Sequence, residues 1–87
     1  MRSLQFTPTS FGQFTEWTTD DKRLFGKLLK LLDVVCRTPF EGIGKPEPLK
    51  GDLAGCWSRR INEEHRLVYK VTNDFIIIIS CKNHYSK

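Results

Sequence analysis

Apolar positions recur at helical spacing through residue 37 and at strand spacing from residue 57 onward, with a stretch rich in glycine and proline between them. Phe11, Phe14 and Trp17 lie three apart and predict a short helix from Thr9 to about Trp17 with one aromatic face. Thr18, with Asp21 three residues on, predicts the start of a second helix, since a hydroxyl satisfies free amides and a carboxylate favours the first turn. Leu24, Phe25, Leu28, Leu29, Leu32, Val35 and Cys36 give this helix a buried face that runs to about Arg37. Pro39 cannot continue it. Residues 38 to 56 hold four of the six glycines and three of the four prolines, which predicts a long ordered loop, and a loop of that length in so small a domain is usually functional or disordered. Trp57 to Ile61, His65 to Thr72 and Phe75 to Cys81 then predict three strands, joined by Asn62-Glu63-Glu64 and by the turn Thr72-Asn73-Asp74. Ser3-Leu4-Gln5-Phe6 is a candidate fourth. The order β-α-α-β-β-β predicts an α+β fold, two N-terminal helices on one face of a mainly antiparallel sheet of three or four strands. The other face of the sheet is left for a ligand.

Composition narrows the class. A chain of 87 residues is expected to form one domain over residues 1–87, and at this size folding buries only somewhat more than ~60% of the unfolded chain's surface, so the core must be compact. A hydrophobic fraction of 39% with dispersed charge is that of a globular protein. The net charge of +4 favours an anionic partner, either nucleic acid or an acidic protein segment. Arg23, Lys27 and Lys30 add a basic stripe on the second helix, which reads equally as a solvated face or as an RNA contact. Cysteines at positions 36, 56 and 81 are odd in number and lack paired short spacing, so free thiols are expected rather than a disulfide framework or a zinc site. No apolar run approaches the ~20 residues that span a membrane, and the first residues do not read as a signal peptide. The expectation is a cytoplasmic protein without a membrane partner.

Several chemistries lack support. There is no GxGxxG or GxxxxGK[ST] phosphate loop, no HExxH and no carboxylate pair beside either of the two histidines, and Ser58 has no hydrolase elbow around it. No metal and no cofactor are expected. What remains is glutamate, histidine, tyrosine and a surplus of arginine and lysine, the parts of a metal-independent ribonuclease. RNA suits such a set because its 2′-hydroxyl is the nucleophile, so the protein needs only a base, an acid and charge stabilisation. Each candidate has a plainer reading. Glu47, fixed between Pro46 and Pro48 beside Lys45 and Lys50, can be an exposed loop glutamate. Arg66, alternating with Leu67, Tyr69 and Val71, can be a solvated strand arginine. His84 and Tyr85 follow the most apolar strand and can be frayed terminal residues. His65, at the start of a strand, reads as structural.

The segments Arg37-Thr38-Pro39-Phe40-Glu41-Gly42, Gly44-Lys45-Pro46-Glu47-Pro48-Leu49-Lys50, Trp57-Ser58-Arg59-Arg60-Ile61, Glu63-Glu64-His65-Arg66-Leu67-Val68-Tyr69 and His84-Tyr85 carry a resemblance over essentially the whole chain. The chain resembles the YoeB/Txe toxins of the RelE-like superfamily. The resemblance implies the toxin of a type II toxin-antitoxin system, an endoribonuclease that cleaves mRNA in the A site of the bacterial ribosome and stops translation. It implies a YefM-like antitoxin as partner, contact with DNA only through the antitoxin complex, and leaves a homodimer open. Carried over residue by residue, Glu47 is the general base, His84 the general acid, Arg66 the group that stabilises charge on the phosphate, and Tyr85 a substrate-orienting residue. Lys45, Lys50, Arg59 and Arg60 are the expected RNA contacts. Two departures stand out. Ser86 and Lys87 follow the His-Tyr pair, at which family members commonly end, and Lys82-Asn83 stand where an arginine and a tyrosine are frequent. A scaffold that binds RNA or antitoxin without cleaving is the competing reading.

Overall fold

A computed structural model describes residues 1 to 82. The elements are β1 (Ser3–Phe6), α1 (Pro8–Asp20), α2 (Lys22–Arg37), β2 (Glu47–Pro48), a turn of 3-10 helix at Gly51–Leu53, β3 (Cys56–Arg60), β4 (Arg66–Val71) and β5 (Phe75–Ser80). The strands form one sheet in the order β1-β5-β4-β3-β2, with β1 parallel to β5 and every other pair antiparallel. The expected α+β class is therefore observed, with one strand more than expected because Glu47 and Pro48 pair with Ser58 and Trp57 inside the supposed loop. Their proline-rich sequence gives no strand pattern, yet an edge is where a strand tolerates a residue without an N–H.

Helix boundaries follow from caps. Thr7 caps α1 through a reciprocal box with Ser10, and Pro8 occupies the first turn, where its missing N–H costs nothing. The expected start of the second helix at Thr18 is corrected. The Thr18 hydroxyl donates to the Thr15 carbonyl within α1, and Asp21 is the cap, its carboxylate accepting from the Leu24 amide at 3.1 Å. Asp21 is extended (φ −161°), so a single residue ends one helix and starts the next. At the far end Thr38, which precedes Pro39, leaves the helical region as that position favours.

One core lies between the helices and the sheet. Trp17 from α1, Leu28, Leu31, Leu32, Val35 and Cys36 from α2, and Leu67, Tyr69, Ile76 and Ile78 from the sheet are all buried in it. The expected face of α2 is shifted by one position, since Leu31 is buried and Leu29 is 45% exposed. Phe14 packs between Phe6 and Phe25 at ring separations of 5.0 and 5.3 Å, whereas Phe11, at the other end of the expected aromatic face, is 55% exposed. No helix among the described residues is long and apolar enough to cross a membrane. All three cysteines are free, as expected, with Cys36 and Cys81 buried.

Candidate active face of the sheet

Side chains alternate across a strand, and residues directly opposite on paired strands share a face. Arg59 opposes Leu67 and Trp57 opposes Tyr69, which puts these four on the helix side. The other side then carries the row Glu47, Ser58, Val68 and Ser80, followed one pleat repeat further by Arg60 opposite Arg66. Glu47 and the two arginines are thus brought to one face from three consecutive strands. A β-bulge between Val68 and Tyr69 skips Ile79 and brings Ser80 into this row, a device that commonly re-aims side chains beside a site.

The edge that carries Glu47 is pinned from several sides. Pro46 and Pro48 restrict its backbone, and the Leu49 amide donates to the Cys56 carbonyl at 2.9 Å. Upstream, the Arg60 amide donates to Gly44 O at 2.7 Å. Gly44 has φ +85°, and a Cβ there would stand 3.0 Å from Arg60 O, so the loop's close approach to β3 requires glycine. Glu47, Lys45, Lys50 and Arg60 are exposed, and Arg66 is partly buried. Lys45 and Arg60 join Lys27 around a shallow pocket of about 240 Å³ floored by Leu31 and Ile43. The stripe on α2 is thereby continuous, through Lys27, with the cations of the sheet edge. Ser58 is buried in the row beside Glu47, and its Oγ has no hydrogen-bond partner among the described residues.

Arg59 is corrected. Expected at an RNA surface, it is fully buried on the helix side, where its Nε donates to Tyr69 Oη at 3.1 Å, Nη1 to Ile43 O at 3.0 Å and Nη2 to Glu41 O at 2.8 Å and to Thr38 O. Tyr69 in turn donates to Pro39 O at 2.6 Å. The two side chains hold the loop from Thr38 to Ile43 by its carbonyls, and a guanidinium so engaged is not available to a phosphate. Burial pushes the Tyr69 phenol above its ordinary range, partly offset by the adjacent guanidinium. Strand parity could have found this: Arg59 shares its side of the strand with Trp57, and an arginine flanked there by Ile61 is better read as a core staple.

His84 and Tyr85 lie outside the described residues. The chain leading to them is placed by α1. Lys82, one of the two residues that depart from the family pattern, pairs with Glu16 at 2.8 Å and Asp20 at 2.5 Å, which raises its pKa, and its ammonium lies over Trp17 at 5.3 Å. His65, read as structural, is buried with its ring edge-on to Trp17 at 4.8 Å. Among the described residues no group of three or more His, Cys, Asp and Glu side chains is gathered as metal ligands.

Two helices on one side of a five-stranded sheet, with Glu47, Arg60 and Arg66 on the other, define a small α+β protein with a charged sheet face. Comparison narrows this. Residues 6–85 match the model of the YoeB-like toxins of bacterial type II toxin-antitoxin systems. The chain is 51% identical over 82 residues to Toxin YoeB of Escherichia coli K12, covering 94% of this chain and 98% of that one. Its structure is similar to that of a YoeB/ParE toxin from Agrobacterium tumefaciens, with 46% identity, a TM-score of 0.91 and coverage of 95% and 99%. It is also similar to the toxin in a heterotetrameric YoeB-YefM toxin-antitoxin complex from Staphylococcus aureus, with 45% identity, a TM-score of 0.87 and coverage of 98% and 99%. The chain belongs to the YoeB-like toxin family.

Proposed function

We propose that this toxin is a ribosome-dependent endoribonuclease that cleaves mRNA in the ribosomal A site and so arrests translation. The observation that carries the reading is the sheet register, which gathers Glu47, Arg60 and Arg66 on the face opposite the helices. In the proposed reaction Glu47 takes the proton of a ribose 2′-hydroxyl, and the resulting oxygen attacks the adjacent phosphorus. The bond to the 5′-oxygen breaks, and His84 supplies the proton that this leaving oxygen requires. Arg66 stabilises the charge that develops on the non-bridging oxygens, for which its planar fork suits better than an ammonium. Lys45, Lys50 and Arg60 hold the RNA backbone, with Lys27 extending the track, and Tyr85 orients the substrate. No metal takes part in any step. The ribosome supplies part of the orientation, since one base and one acid act best on a phosphodiester already held in line.

A YefM-like antitoxin is the proposed partner, by family membership and the Staphylococcus aureus complex, and the proposed compartment is the cytoplasm, where ribosomes and mRNA are found. The test is primer-extension mapping of mRNA on programmed ribosomes with the wild type, Glu47→Ala and His84→Gln. Cleavage at the A-site codon by the wild type is expected, with losses of ~10²–10⁴-fold in each variant. Wild-type protein that binds ribosomes or antitoxin and leaves the mRNA intact would establish a non-cleaving binding protein instead.

A further inference from the structure

Ser58 is fully buried, yet its Oγ finds no hydrogen-bond partner among the described residues. Buried hydroxyls in folded proteins are nearly always satisfied, so an unspent one on a charged face calls for a reason. Its neighbours on that face narrow the choice. Ser58 stands between Glu47 on β2 and Val68 on β4, with Cys56 and Arg60 two residues to either side on its own strand. Arg66 and Lys70 flank Val68 in the same way. Arginine and lysine only donate, valine does neither, and a thiol is a weak acceptor. Among these neighbours the hydroxyl proton therefore has one strong side-chain acceptor, the Glu47 carboxylate.

The ladder puts that acceptor close. The Leu49 amide donates to the Cys56 carbonyl at 2.9 Å, which makes Leu49 and Cys56 a hydrogen-bonded pair between β2 and β3. Such pairs alternate along antiparallel strands, so Glu47 and Ser58 form the next one, with Cα atoms about 5.5 Å apart. Glu47 is exposed and its carboxylate ends two methylenes, so a change of rotamer carries it to Ser58 without moving the backbone.

We propose that Ser58 is a positioning residue for Glu47. When RNA covers this face and excludes water, the hydroxyl donates to one carboxylate oxygen, and the other is left to take the 2′-hydroxyl proton. A hydrogen bond to an ionised group is stronger than one between neutral groups, and stronger again in a dry site. The inference rests on the reading of Glu47 as the general base. Being fully buried, Ser58 acts through the carboxylate and not on the RNA.

Ser58→Ala removes only the hydroxyl. In single-turnover cleavage on programmed ribosomes it is expected to lose about ten- to a hundredfold in rate, the scale on which small misplacements act, with half-saturation unchanged. Its melting temperature should equal or exceed that of the wild type, because a buried hydroxyl without a partner stabilises nothing in the free protein. In a Glu47→Ala background Ser58→Ala should cost nothing further. In parallel, the Glu47 side-chain carboxyl resonance should shift in Ser58→Ala when the toxin is saturated with a 2′-O-methyl oligoribonucleotide, which cannot be cleaved. Wild-type rate with an unmoved Glu47 resonance would overturn the proposal. So would a loss that persists undiminished without Glu47, or a melting temperature that falls along with the rate. Failure of the wild type itself to cleave would count against the ribonuclease reading, and the Glu47 resonance would then decide the role of Ser58 alone.

Discussion

Arg59 and Arg60 are neighbours in the chain and have opposite fates. Arg59 faces the helices and spends its guanidinium on a phenol and three loop carbonyls. Arg60 faces outward, opposite Arg66, at the edge of a pocket it shares with Lys27 and Lys45. The same residue type is a staple on one side of the sheet and a surface cation on the other. The difference comes from the two-residue period of a strand, not from any property of the two side chains. A buried guanidinium fixes the route of the loop, and that loop in turn delivers Glu47 to the outer face. The inner side of the sheet thus builds the outer one.

Four substitutions sharpen this contrast, the largest effect first. Arg66→Ala should lower the single-turnover cleavage rate by about 10²–10³-fold, the usual cost of removing one charge-stabilising donor, while the melting temperature stays close to that of the wild type. A melting temperature that falls along with the rate would move Arg66 to the structural side. Arg59→Met should behave in the opposite way. It leaves three carbonyls and the phenol oxygen without the donor they share, and urea unfolding should report a loss of about 3 kcal/mol or more. Arg59→Lys should rescue only part of that, because an ammonium cannot reproduce the planar fork. Full stability in Arg59→Met would remove the staple from the account.

Tyr69→Phe deletes the donor to Pro39 and the acceptor for Arg59, for an expected cost of about 1–3 kcal/mol. It should also change the alkaline behaviour. The Tyr69 phenol is raised by burial, and the Cys81 thiol is pushed up to about 12 from an ordinary value of 9.0, again by burial. In the unfolded chain these groups lose their protons first, so the unfolded state binds fewer protons and stability falls as pH rises. Stability from Cys81 should be fully present below pH 9.0 and lost progressively toward pH 12. Melting temperatures across that range should decline less steeply in Tyr69→Phe than in the wild type, and parallel curves would show that the phenol does not contribute. The smallest effect concerns reactivity: iodoacetamide at neutral pH should label the half-exposed Cys56 before the buried Cys36 and Cys81. Labelling of Cys81 first would contradict its burial.

How much of this was legible depended on the range of the interaction concerned. The period of α2 located the helix, yet it placed Leu29 inside and left Leu31 out, because a stripe of leucines all around one turn does not say which edge the sheet will cover. Thr18 looked like a cap by residue type. Asp21 took that role because only its backbone leaves the helical region. Glu47 stood out through its flanking prolines, but nothing local announced that it would pair across from Ser58. Nothing local singled out a partner for Lys82, and only the packing of β5 against α1 brings it to Glu16 and Asp20.

By itself the sequence determined the two helices and every strand but β2, their order, the α+β class and, through its motifs, the family to which the chain belongs. These follow from local periodicity and residue type, which act over a few residues. Only the tertiary structure decided which loop carbonyls the buried Arg59 holds, that Glu47 joins the sheet on an added edge strand, and how the end of β5 is fastened to α1. Those outcomes rest on register and on contacts between residues far apart in the chain, such as Gln13 with Cys81, 68 positions on, and no local pattern encodes them.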